Sequence, residues 1–407
     1  GRHRLPAPGA VGLGQAVEER VLALEERDDR RAEAALQRFG KAREQSGGKA
    51  DDVGPLGVLE PAHELPELLA EHVGSGRLRA TIDGPAAVRD ADVALVVVPV
   101  LVRDDGSIAD KALVGATETL IAGAHDDLLV ILETTVPIGT TRELVAKVAA
   151  KSGAKVFGCF SPERVLTGQT FRNLAAYPKL VGGTDAPSLT RATAFYESVL
   201  DAPIAQMQTL EAAEMAKLAE TTYRDVNIAL ANEFARVADR HGIDLSEVIR
   251  AANSQPYSHI HEPGIGVGGH CIPVDPIYLA HASKTVGATS RFIELADQIN
   301  QEMPSYFVGR AEEKLGGLKN KSVLVVGVSY KPNVADVRET PVEALIVGLK
   351  QKGAQVAWHD ELVKEWNSER SVALSNKYNL AILATPHDYL DLTKLGDVPI
   401  LNTRGSI

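Results

Sequence analysis

The feature that most constrains this chain is a repeated alternation of short, β-branched apolar runs with helical segments. From about residue 92, DVALVVVPV is followed by a helical stretch from about Lys111 and then by LLVILETTVP; AKVFGCFSPE and KLVGGT supply two more runs. Runs this apolar, separated by helices, are typical of parallel strands that helices cover on both faces of a sheet. The pattern predicts a doubly wound, Rossmann-like α/β domain, whose ligands bind beyond the carboxyl ends of its strands.

A second alternation occupies the last part of the chain. KSVLVVGVSYKPNVADVRETP, AQVAWHD, LAILATP and VPILNTR provide four strands, which predicts a smaller Rossmann-like domain over residues 317–407. Between the alternations, a helical pattern runs from Gln208 to about Arg240. At about thirty residues it spans about 45 Å, which is too long for packing on one small sheet. We interpret it as the spine helix of a central helical domain, residues 206–316.

The start of the chain does not follow this pattern. A dinucleotide-binding domain opens with a strand that runs into G-x-G-x-x-G. Here Gly12 and Gly14 follow no apolar strand, and Val17 stands where the motif requires its third glycine or another small residue. Residues 18–45 are charged and helix-compatible. We therefore predict an atypical start, residues 1–60, followed by the remainder of a dinucleotide-binding domain, residues 61–205. Two explanations stay open: a genuine divergence, or coding sequence read in another frame.

Composition and charge exclude several classes of function. The formal net charge of -11 argues against a nucleic-acid or anionic-membrane surface, because those partners attract basic patches. No apolar run approaches the roughly twenty residues that span a bilayer. Two cysteines provide neither a disulfide framework nor a four-ligand zinc site. We expect a small-molecule substrate and a reducing, cytoplasmic compartment.

Five sequence blocks occur in one order: ETTVPIGTT (133–141), SPERVLTG (161–168), the long helix with Lys217, GVGGHCIPVDP (266–276) and SYKPNVADVRETP (329–341). In this order and wording they resemble the UDP-sugar 6-dehydrogenase family, from about residue 60 to the end. The resemblance implies oxidation of the primary alcohol of a UDP-linked sugar to a carboxylate, with two NAD used for each sugar. The wording is similar to the UDP-N-acetylhexosamine branch, because the UDP-glucose branch tends to carry a second glutamate where Thr167 stands.

The chemistry of such an enzyme explains the surroundings of Cys271. After the alcohol has lost one hydride, a second can leave only when a nucleophile has added to the aldehyde, and a thiolate is strongly nucleophilic. Gly266, Gly268 and Gly269 let the backbone approach the substrate and adopt positive φ. His270 either favours the thiolate or is a hydrogen-bonded structural histidine. Cys159 lies inside an apolar strand and is expected to be a buried core residue.

The resemblance also implies roles for other residues. Asp275 orients or activates water, Lys217 stabilises negative charge on the substrate oxygen, Glu163 serves thioester hydrolysis and Thr135 holds a water. The residues expected at the catalytic centre and at NAD are Cys271, Lys217, Asp275, Glu163 and Thr135, and Gly12, Gly14, Pro99 and Thr135, with no metal.

Cations of the last block are expected at the diphosphate. Lys331 and Arg338, joined by Arg404, would grip the UDP-sugar or tie the domains together, since a diphosphate favours guanidinium and ammonium donors. The full set of expected sugar-nucleotide contacts is Glu163, Arg164, Lys217, Thr221, Gly268, Gly269, Lys331 and Arg338.

Two sites depart from the family's wording. Thr221 stands one helical turn after Lys217, where the family places an asparagine that reaches the same oxygen. Loss of an oxyanion donor typically costs about a hundredfold in rate. Pro99, Val100 and Leu101 replace the family's P-T-P, which removes a hydroxyl near the cofactor. These departures and the atypical start leave a catalytically impaired sugar-nucleotide-binding relative as a second hypothesis, and oxidation of UDP-glucose as a further variant.

Ordinary structural roles stay open for the same side chains. Lys217 would otherwise be a solvated charge, Asp275 a turn former, and Glu163 the partner of Arg164 in a surface ion pair. The two cations of the last block would form a solvated loop face. The expected partners are a UDP-sugar and a second copy of the chain, paired through the long apolar-faced helix as a homodimer.

Overall fold

The structure is a computed structural model that describes residues 21–24, 64–102, 108–166 and 169–404, with the backbone alone for 21–24 and 64–67. The predicted cofactor contacts Gly12 and Gly14, and the position of Thr167, lie outside the described residues. Within them the helices are α1 (Glu64–Gly74), α2 (Gly84–Arg89), α3 (Lys111–Gly123), α4 (Thr140–Ser152), α5 (Thr170–Ala176), α6 (Ala186–Val199), α7 (Leu210–His241), α8 (Leu245–Ala252), α9 (Asp275–Thr285), α10 (Arg291–Leu315) and α11 (Val342–Gln351).

The strands of the same described residues are β1 (Val21–Leu24), β2 (Leu78–Thr81), β3 (Val93–Val96), β4 (Leu101–Val102), β5 (Ile108–Ala109), β6 (Leu129–Leu132), β7 (Phe157–Phe160), β8 (Lys179–Gly183), β9 (Ile204–Gln206), β10 (Ser322–Val326), β11 (Gln355–His359), β12 (Glu365–Trp366), β13 (Glu369–Arg370), β14 (Leu380–Leu383) and β15 (Ile400–Asn402). A short 3₁₀ helix, Leu392–Leu395, precedes the last strand.

The first sheet has the strand order β3-β6-β7-β8-β9. β3, β6 and β7 are parallel, with Val93 opposite Leu129 and Leu129 opposite Phe157. Every residue of β6 and β7 is buried, as expected for strands covered by helices on both faces. The segments 133–139 and 160–164 lie at the carboxyl ends of β6 and β7, as predicted. Their side chains are therefore placed where such a sheet binds ligands.

One prediction about this sheet is wrong. KLVGGT was expected to continue the parallel pattern, but β8 is antiparallel to β7, with Cys159 opposite Gly183 and Phe160 opposite Gly182. Apolar periodicity reports burial and carries no information about strand direction. The described part of the connection between the two strands contains only the short helix α5, whereas a parallel return usually needs a longer crossover.

The start of the described chain also departs from expectation. Val21–Leu24 lies within the run whose charge predicts a helix, yet its backbone forms a strand, with Val21 opposite Thr81 of β2. The pair is antiparallel and forms a separate two-stranded sheet. Strand pairing has here overridden the helix propensity of the local sequence, since propensity is a weak prior.

The second sheet has the predicted four strands in the order β11-β10-β14-β15. All are parallel; Val323 is opposite both Val356 and Leu380, and Ala381 is opposite Ile400. Helices α10 and α11 cover one face, where a large core cluster includes the fully buried Met303, Leu345 and Trp358. The α/β fold with two Rossmann-like sheets is thus confirmed.

The spine helix is α7, within two residues of its predicted bounds. Thr209 caps its start by accepting a hydrogen bond from the Ala212 N–H (3.1 Å), and Gly242 ends it in a left-handed conformation (φ 65°). Leu210 and Leu218 join the core of the first sheet, and Ala229 packs with Ala296 and Ile299 of α10. The helix therefore joins both halves of the molecule.

Two further points concern the chain as a whole. Among the described helices none has the length and apolar character required to cross a bilayer. The domain boundaries at 60, 205 and 316 stay proposals; β9 ends at Gln206, one residue beyond the second of them.

Candidate active site

Cys271 lies directly before the first turn of α9. Its carbonyl oxygen accepts hydrogen bonds from the N–H groups of Val274 (3.2 Å) and Asp275 (2.8 Å), so the cysteine is held by the helix that begins at Asp275. The Cys271 side chain is exposed, whereas Asp275 is only 2% exposed. The thiol is thus accessible at the edge of a buried carboxyl group.

Glycines allow the loop before Cys271 to lie between two other segments. The positive φ expected from the sequence is found at Gly266 (128°) and Gly269 (83°), whereas the expectation is wrong for Gly268. A Cβ at Gly268 would lie 2.6 Å from the Glu339 carbonyl oxygen, and one at Gly269 would lie 2.9 Å from the Tyr330 ring. Side chains there would separate the loop from residues 330–339, so the glycines bring this loop against the second α/β domain.

One face of α7 supplies two buried residues of the site. Lys217 is 3% exposed and Thr221, one turn later, is fully buried. The Thr221 hydroxyl donates to the Lys217 carbonyl oxygen (3.0 Å) and the Leu218 carbonyl oxygen (3.2 Å) of its own helix. Lys217 is therefore not a solvated charge. The Thr221 hydroxyl bonds the helix backbone and also lowers the pKa of Asp275.

Four charged side chains, Asp275, Lys217, Glu163 and Arg224, lie close enough to Cys271 for their charges to shift the pKa of its thiol. Although Cys271 is open to solvent, the protein atoms around it desolvate its thiol and raise the pKa of that thiol. The carboxylate of Asp275 raises this pKa further, Lys217 lowers it, Glu163 raises it and Arg224 lowers it. The site thus sets cations and carboxylates against each other around one accessible sulfur.

Asp275 has the electrostatics of a group that exchanges protons near neutrality. Burial raises its pKa to about 6, against the positive charge of Lys217, the nearby Thr221 hydroxyl and Arg224. Its Oδ2 atom is buried without a hydrogen-bond partner. A carboxyl group with this pKa and a free oxygen is suited to general acid or base chemistry.

Glu163 and Arg164 follow β7 but do not pair with each other. Arg164 donates to Glu220 (2.8 Å) and to the Pro178 carbonyl oxygen (3.1 Å). Glu163 is exposed and accepts a hydrogen bond from the Val165 N–H. The prediction of a surface ion pair between these two neighbours is therefore wrong, and the charge of Glu163 acts on the Cys271 thiol.

The second α/β domain contributes two cations, Arg338 and Lys331, to the surroundings of the loop that carries Cys271. Arg338 donates to both carboxylate oxygens of Asp336 and, through Nη1, to Nδ1 of His270 (3.2 Å). A guanidinium only donates, so Nδ1 of His270 accepts. The structural role considered for His270 therefore fits its contacts. Burial lowers the pKa of Lys331, and the negative charges of Asp336 and, to a lesser extent, of Cys271 raise it.

Arg404 lies at the other side of the cysteine loop. It pairs with Glu262 (3.4 Å), and burial lowers its pKa. Together with Gly266 and Tyr330 it lines a small cavity between the loop and the second sheet. The third cation expected from the sequence is thus close to the same loop.

The residues expected at NAD lie at the ends of the first sheet. Pro99 is exposed beyond β3, between the exposed apolar side chains of Val97 and Leu101, and Thr135 is half-buried beyond β6. Apolar groups left exposed at the carboxyl edge of parallel strands fit a dinucleotide ring. The Tyr278 hydroxyl of α9 donates to the Val100 carbonyl oxygen (2.8 Å), so this edge is tied to the cysteine helix.

Sequence reasoning missed Arg224. It lies on α7 seven residues after Lys217, its Nε atom is buried without a hydrogen-bond partner, and its charge acts on Cys271, Asp275 and Lys331. The helical spacing from Lys217 was the available signal, because residues seven apart share a face. In the described part of the chain, no three His, Cys, Asp or Glu side chains are grouped to hold a metal ion.

Comparison with known protein families gives three matches in chain order. Residues 54–200 match the NAD binding domain, residues 211–302 the central domain and residues 324–401 the UDP binding domain of the UDP-glucose/GDP-mannose dehydrogenase family. NAD is accordingly the cofactor of this chain.

Individual relatives agree with the family match. The chain is 32% identical over 352 residues to the UDP-N-acetyl-D-mannosamine dehydrogenase of Methanococcus maripaludis, covering 85% of this chain and 79% of that protein. Among solved structures, it is similar to the UDP-D-ManNAc dehydrogenase of Pyrococcus horikoshii (TM-score 0.77, 28% identity, 86% of this chain and 85% of that one). A UDP-glucose dehydrogenase from Pyrobaculum islandicum is equally similar (TM-score 0.78, 29% identity, 86% and 84% coverage).

Proposed function

Because the chain belongs to the UDP-glucose/GDP-mannose dehydrogenase family, we propose that this NAD-dependent dehydrogenase oxidises a UDP-N-acetylhexosamine to the corresponding uronic acid through Cys271. The observation that carries the proposal is the cluster in which the accessible Cys271 thiol lies among Asp275, Lys217 and Glu163. Each of these groups has a task in a reaction that removes two hydrides from one carbon.

The first oxidation converts the primary alcohol to an aldehyde. NAD supplies the hydride acceptor for each of the two oxidations. The buried ammonium of Lys217 stabilises negative charge on the substrate oxygen as its proton leaves. Asp275, with its pKa of about 6 and its free Oδ2, accepts a proton near neutral pH.

The second oxidation requires the cysteine. The sulfur of Cys271 adds to the aldehyde carbon while a proton moves to the aldehyde oxygen, which gives a thiohemiacetal. Loss of the remaining hydride and of the hydroxyl proton gives a thioester. Water then adds to the thioester carbon, the C–S bond breaks, and the uronic acid and the free thiol form. Glu163 and Thr135, at the ends of β7 and β6, would position that water.

The second sheet would hold the diphosphate. Arg338 contacts His270 of the cysteine loop, Arg404 lines the same small cavity as Gly266, and the charge of Cys271 acts on Lys331. A diphosphate carries the negative charge that such donors favour. Arg224 adds a fourth cation with an unpaired buried N–H, and we propose that it donates to the sugar nucleotide.

The N-acetylated substrate is supported by the sequence wording and by the M. maripaludis relative, which is named for UDP-N-acetyl-D-mannosamine. The test is to count NADH formed per sugar consumed with UDP-N-acetylmannosamine, UDP-N-acetylglucosamine and UDP-glucose separately. The expected result is two NADH for each sugar consumed, with the highest turnover for one of the two acetamido sugars. The highest turnover with UDP-glucose would contradict the acetamido substrate and support UDP-glucose as the substrate.

Other outcomes separate the remaining hypotheses. One NADH per sugar would show an enzyme that stops at the aldehyde and would contradict the thioester route. A folded protein that binds the UDP-sugar and forms no NADH would support the impaired relative, for which Thr221 is the structural reason, since its hydroxyl donates into the helix backbone.

We also propose a homodimer that pairs through α7. Tyr223, Leu230 and Val237 are spaced by seven residues and are 52%, 42% and 60% exposed, so they form an apolar stripe on one side of the helix. Val237→Glu is expected to give monomers in sedimentation velocity. Phe292→Glu, at a residue 78% exposed elsewhere on the surface, is the control and should leave the dimer intact. A monomeric parent protein would contradict the proposal.

A further inference from the structure

A chain of buried hydrogen bonds crosses from the spine helix to the loop that carries Cys271. Asn300 of α10 donates through Nδ2 to the Asp225 carboxylate (2.8 Å), and its Oδ1 accepts from Nδ2 of Asn232 (2.9 Å). Oδ1 of Asn232 in turn accepts from the backbone N–H of Gly264 (2.8 Å). The three side chains are at most 3% exposed. We call Asp225, Asn300 and Asn232 the amide relay.

The hydrogen bonds of the amide relay all donate in one direction, towards Asp225. An ionised carboxylate only accepts, so the amide nitrogen of Asn300 must face Asp225 and its oxygen must face Asn232. Asn232 then has to donate to Asn300, which leaves its oxygen for Gly264. The charge of Asp225 thus fixes the orientation of both amides and specifies an N–H donor at the start of the cysteine loop.

The same turn of α10 also fixes the loop two residues later. A Cβ at Gly266 would lie 2.8 Å from the Asn300 carbonyl oxygen, so the loop backbone packs directly on the residue that carries the central amide. Further along, the Gly269 N–H donates to the Arg338 carbonyl oxygen (3.0 Å). The loop is therefore held at its start by the relay, in its middle by the second domain and at its end by α9.

We propose that Asn232 and Asn300 are positioning residues for Cys271: through Gly264 they fix the loop that places the thiol next to Lys217 and Asp275. This inference rests on the proposed function for its catalytic consequence, but its geometric part concerns the thiol alone. A buried polar network used only for stability would affect unfolding and not the reactivity of one cysteine. That difference makes the proposal testable.

The test measures alkylation of Cys271 by iodoacetamide against pH, without NAD or sugar. Cys159 is fully buried, so alkylation of the folded protein reports Cys271. Asn232→Ala is expected to move the apparent thiol pKa down towards that of an ordinary cysteine, because a released loop loses the burial next to Asp275 that raises it. In the same variant kcat should fall at least about tenfold with KM for NAD unchanged.

Asn227→Ala is the matched control. Asn227 lies on the same helix, donates to the His259 carbonyl oxygen (2.8 Å) and accepts from the His261 N–H (2.9 Å), so it holds an earlier part of the same chain segment. Its loss should leave the thiol profile and kcat near the parent values. Equal effects of the two variants, or a parent-like thiol profile in Asn232→Ala, would overturn the proposal.

A second pair of variants serves if Asn232→Ala does not fold. Asn300→Asp places two carboxylates face to face and should disturb the thiol profile. Adding Asp225→Asn restores one carboxylate and the direction of the relay, and should return the profile to the parent's. No rescue would contradict the directional relay. A parent protein that forms no NADH would contradict the proposed function and leave the alkylation result readable.

Discussion

The two cysteines of this chain carry the same thiol in opposite surroundings. Cys159 is fully buried in β7, packed with Val181 and Tyr196, and burial raises its pKa to about 12. Cys271 is exposed on a glycine-rich loop beside Lys217 and Asp275. A nucleophile therefore requires access and a nearby proton acceptor, which the loop provides and the strand does not.

Replacement of Cys271 is expected to have the largest effect on activity, and replacement of Cys159 serves as its comparison. Cys271→Ser should lower uronic acid formation by about a thousandfold or more, because the hydroxyl is a far weaker nucleophile. Cys159→Ala should change kcat less than about twofold and cost about 1–2 kcal/mol of unfolding free energy, since it removes buried volume only. Activity assays with urea unfolding measure both. Similar losses of activity in the two variants would contradict the assignment of Cys271 as the nucleophile and Cys159 as a core residue.

Removal of the ammonium next to Cys271 is expected to have the next largest effect. Lys217→Met should lower kcat about a hundredfold or more with KM for NAD unchanged, because a buried donor to the substrate oxygen is lost. Lys284→Met, at a side chain 70% exposed on α9, is the matched control. A kcat within twofold of the parent in Lys217→Met would show that this lysine does not act on the reacting oxygen.

The carboxyl group beside Cys271 predicts a pH dependence of stability. Because the folded pKa of Asp275, about 6, lies above its unfolded value of about 4, the folded state holds this proton more tightly. Its contribution to stability is complete below about pH 4 and is lost as pH rises through 6. Relative to Asp275→Asn, the parent should therefore lose up to about 3 kcal/mol between these limits.

Urea unfolding of the parent and of Asp275→Asn at several pH values measures this difference. Asp225, whose pKa burial also raises to about 6, is present in both proteins and its contribution cancels. A difference that does not change with pH would show that the Asp275 carboxyl group is ionised as easily in the folded protein as in the unfolded one.

The smallest expected effect concerns the helix face next to Cys271. Thr221→Asn introduces an amide one turn after Lys217 and is expected to raise kcat about tenfold, because the donor that Thr221 spends on the helix backbone would then face the substrate. Steady-state kinetics measures it. An unchanged or lower kcat would show that this buried position has no room for a productive amide.

Much of the fold was predictable because its signals are local. Apolar runs predicted four of the five strands of the first sheet, missing the short β9, and all four strands of the second, and Gly242 marked the end of α7 closely. The antiparallel pairing of β8 was not predictable, because strand direction depends on which partner the chain meets. The strand Val21–Leu24 was missed for the same reason: its partner lies more than fifty residues away.

The candidate site was only partly predictable. The blocks around Cys271, Lys217, Asp275 and Glu163 were chosen from their wording, and they lie in one cluster of charges. Arg224 was missed, although its spacing from Lys217 on the helix was visible. That Arg164 pairs with Glu220 and not with Glu163 was beyond the sequence, because a pair 56 residues apart exists only once β7 meets α7.

The sequence by itself determined the two α/β units, the long helix between them and an unusual cysteine in a glycine-rich loop, since periodicity, capping and glycine content are properties of neighbouring residues. Only the tertiary structure decided how that cysteine is used. Burial raises the pKa of Asp275, Lys217 is enclosed, and Asn232 and Asn300 hold the loop at Gly264. These effects depend on desolvation and on distances between remote segments, which exist only after folding.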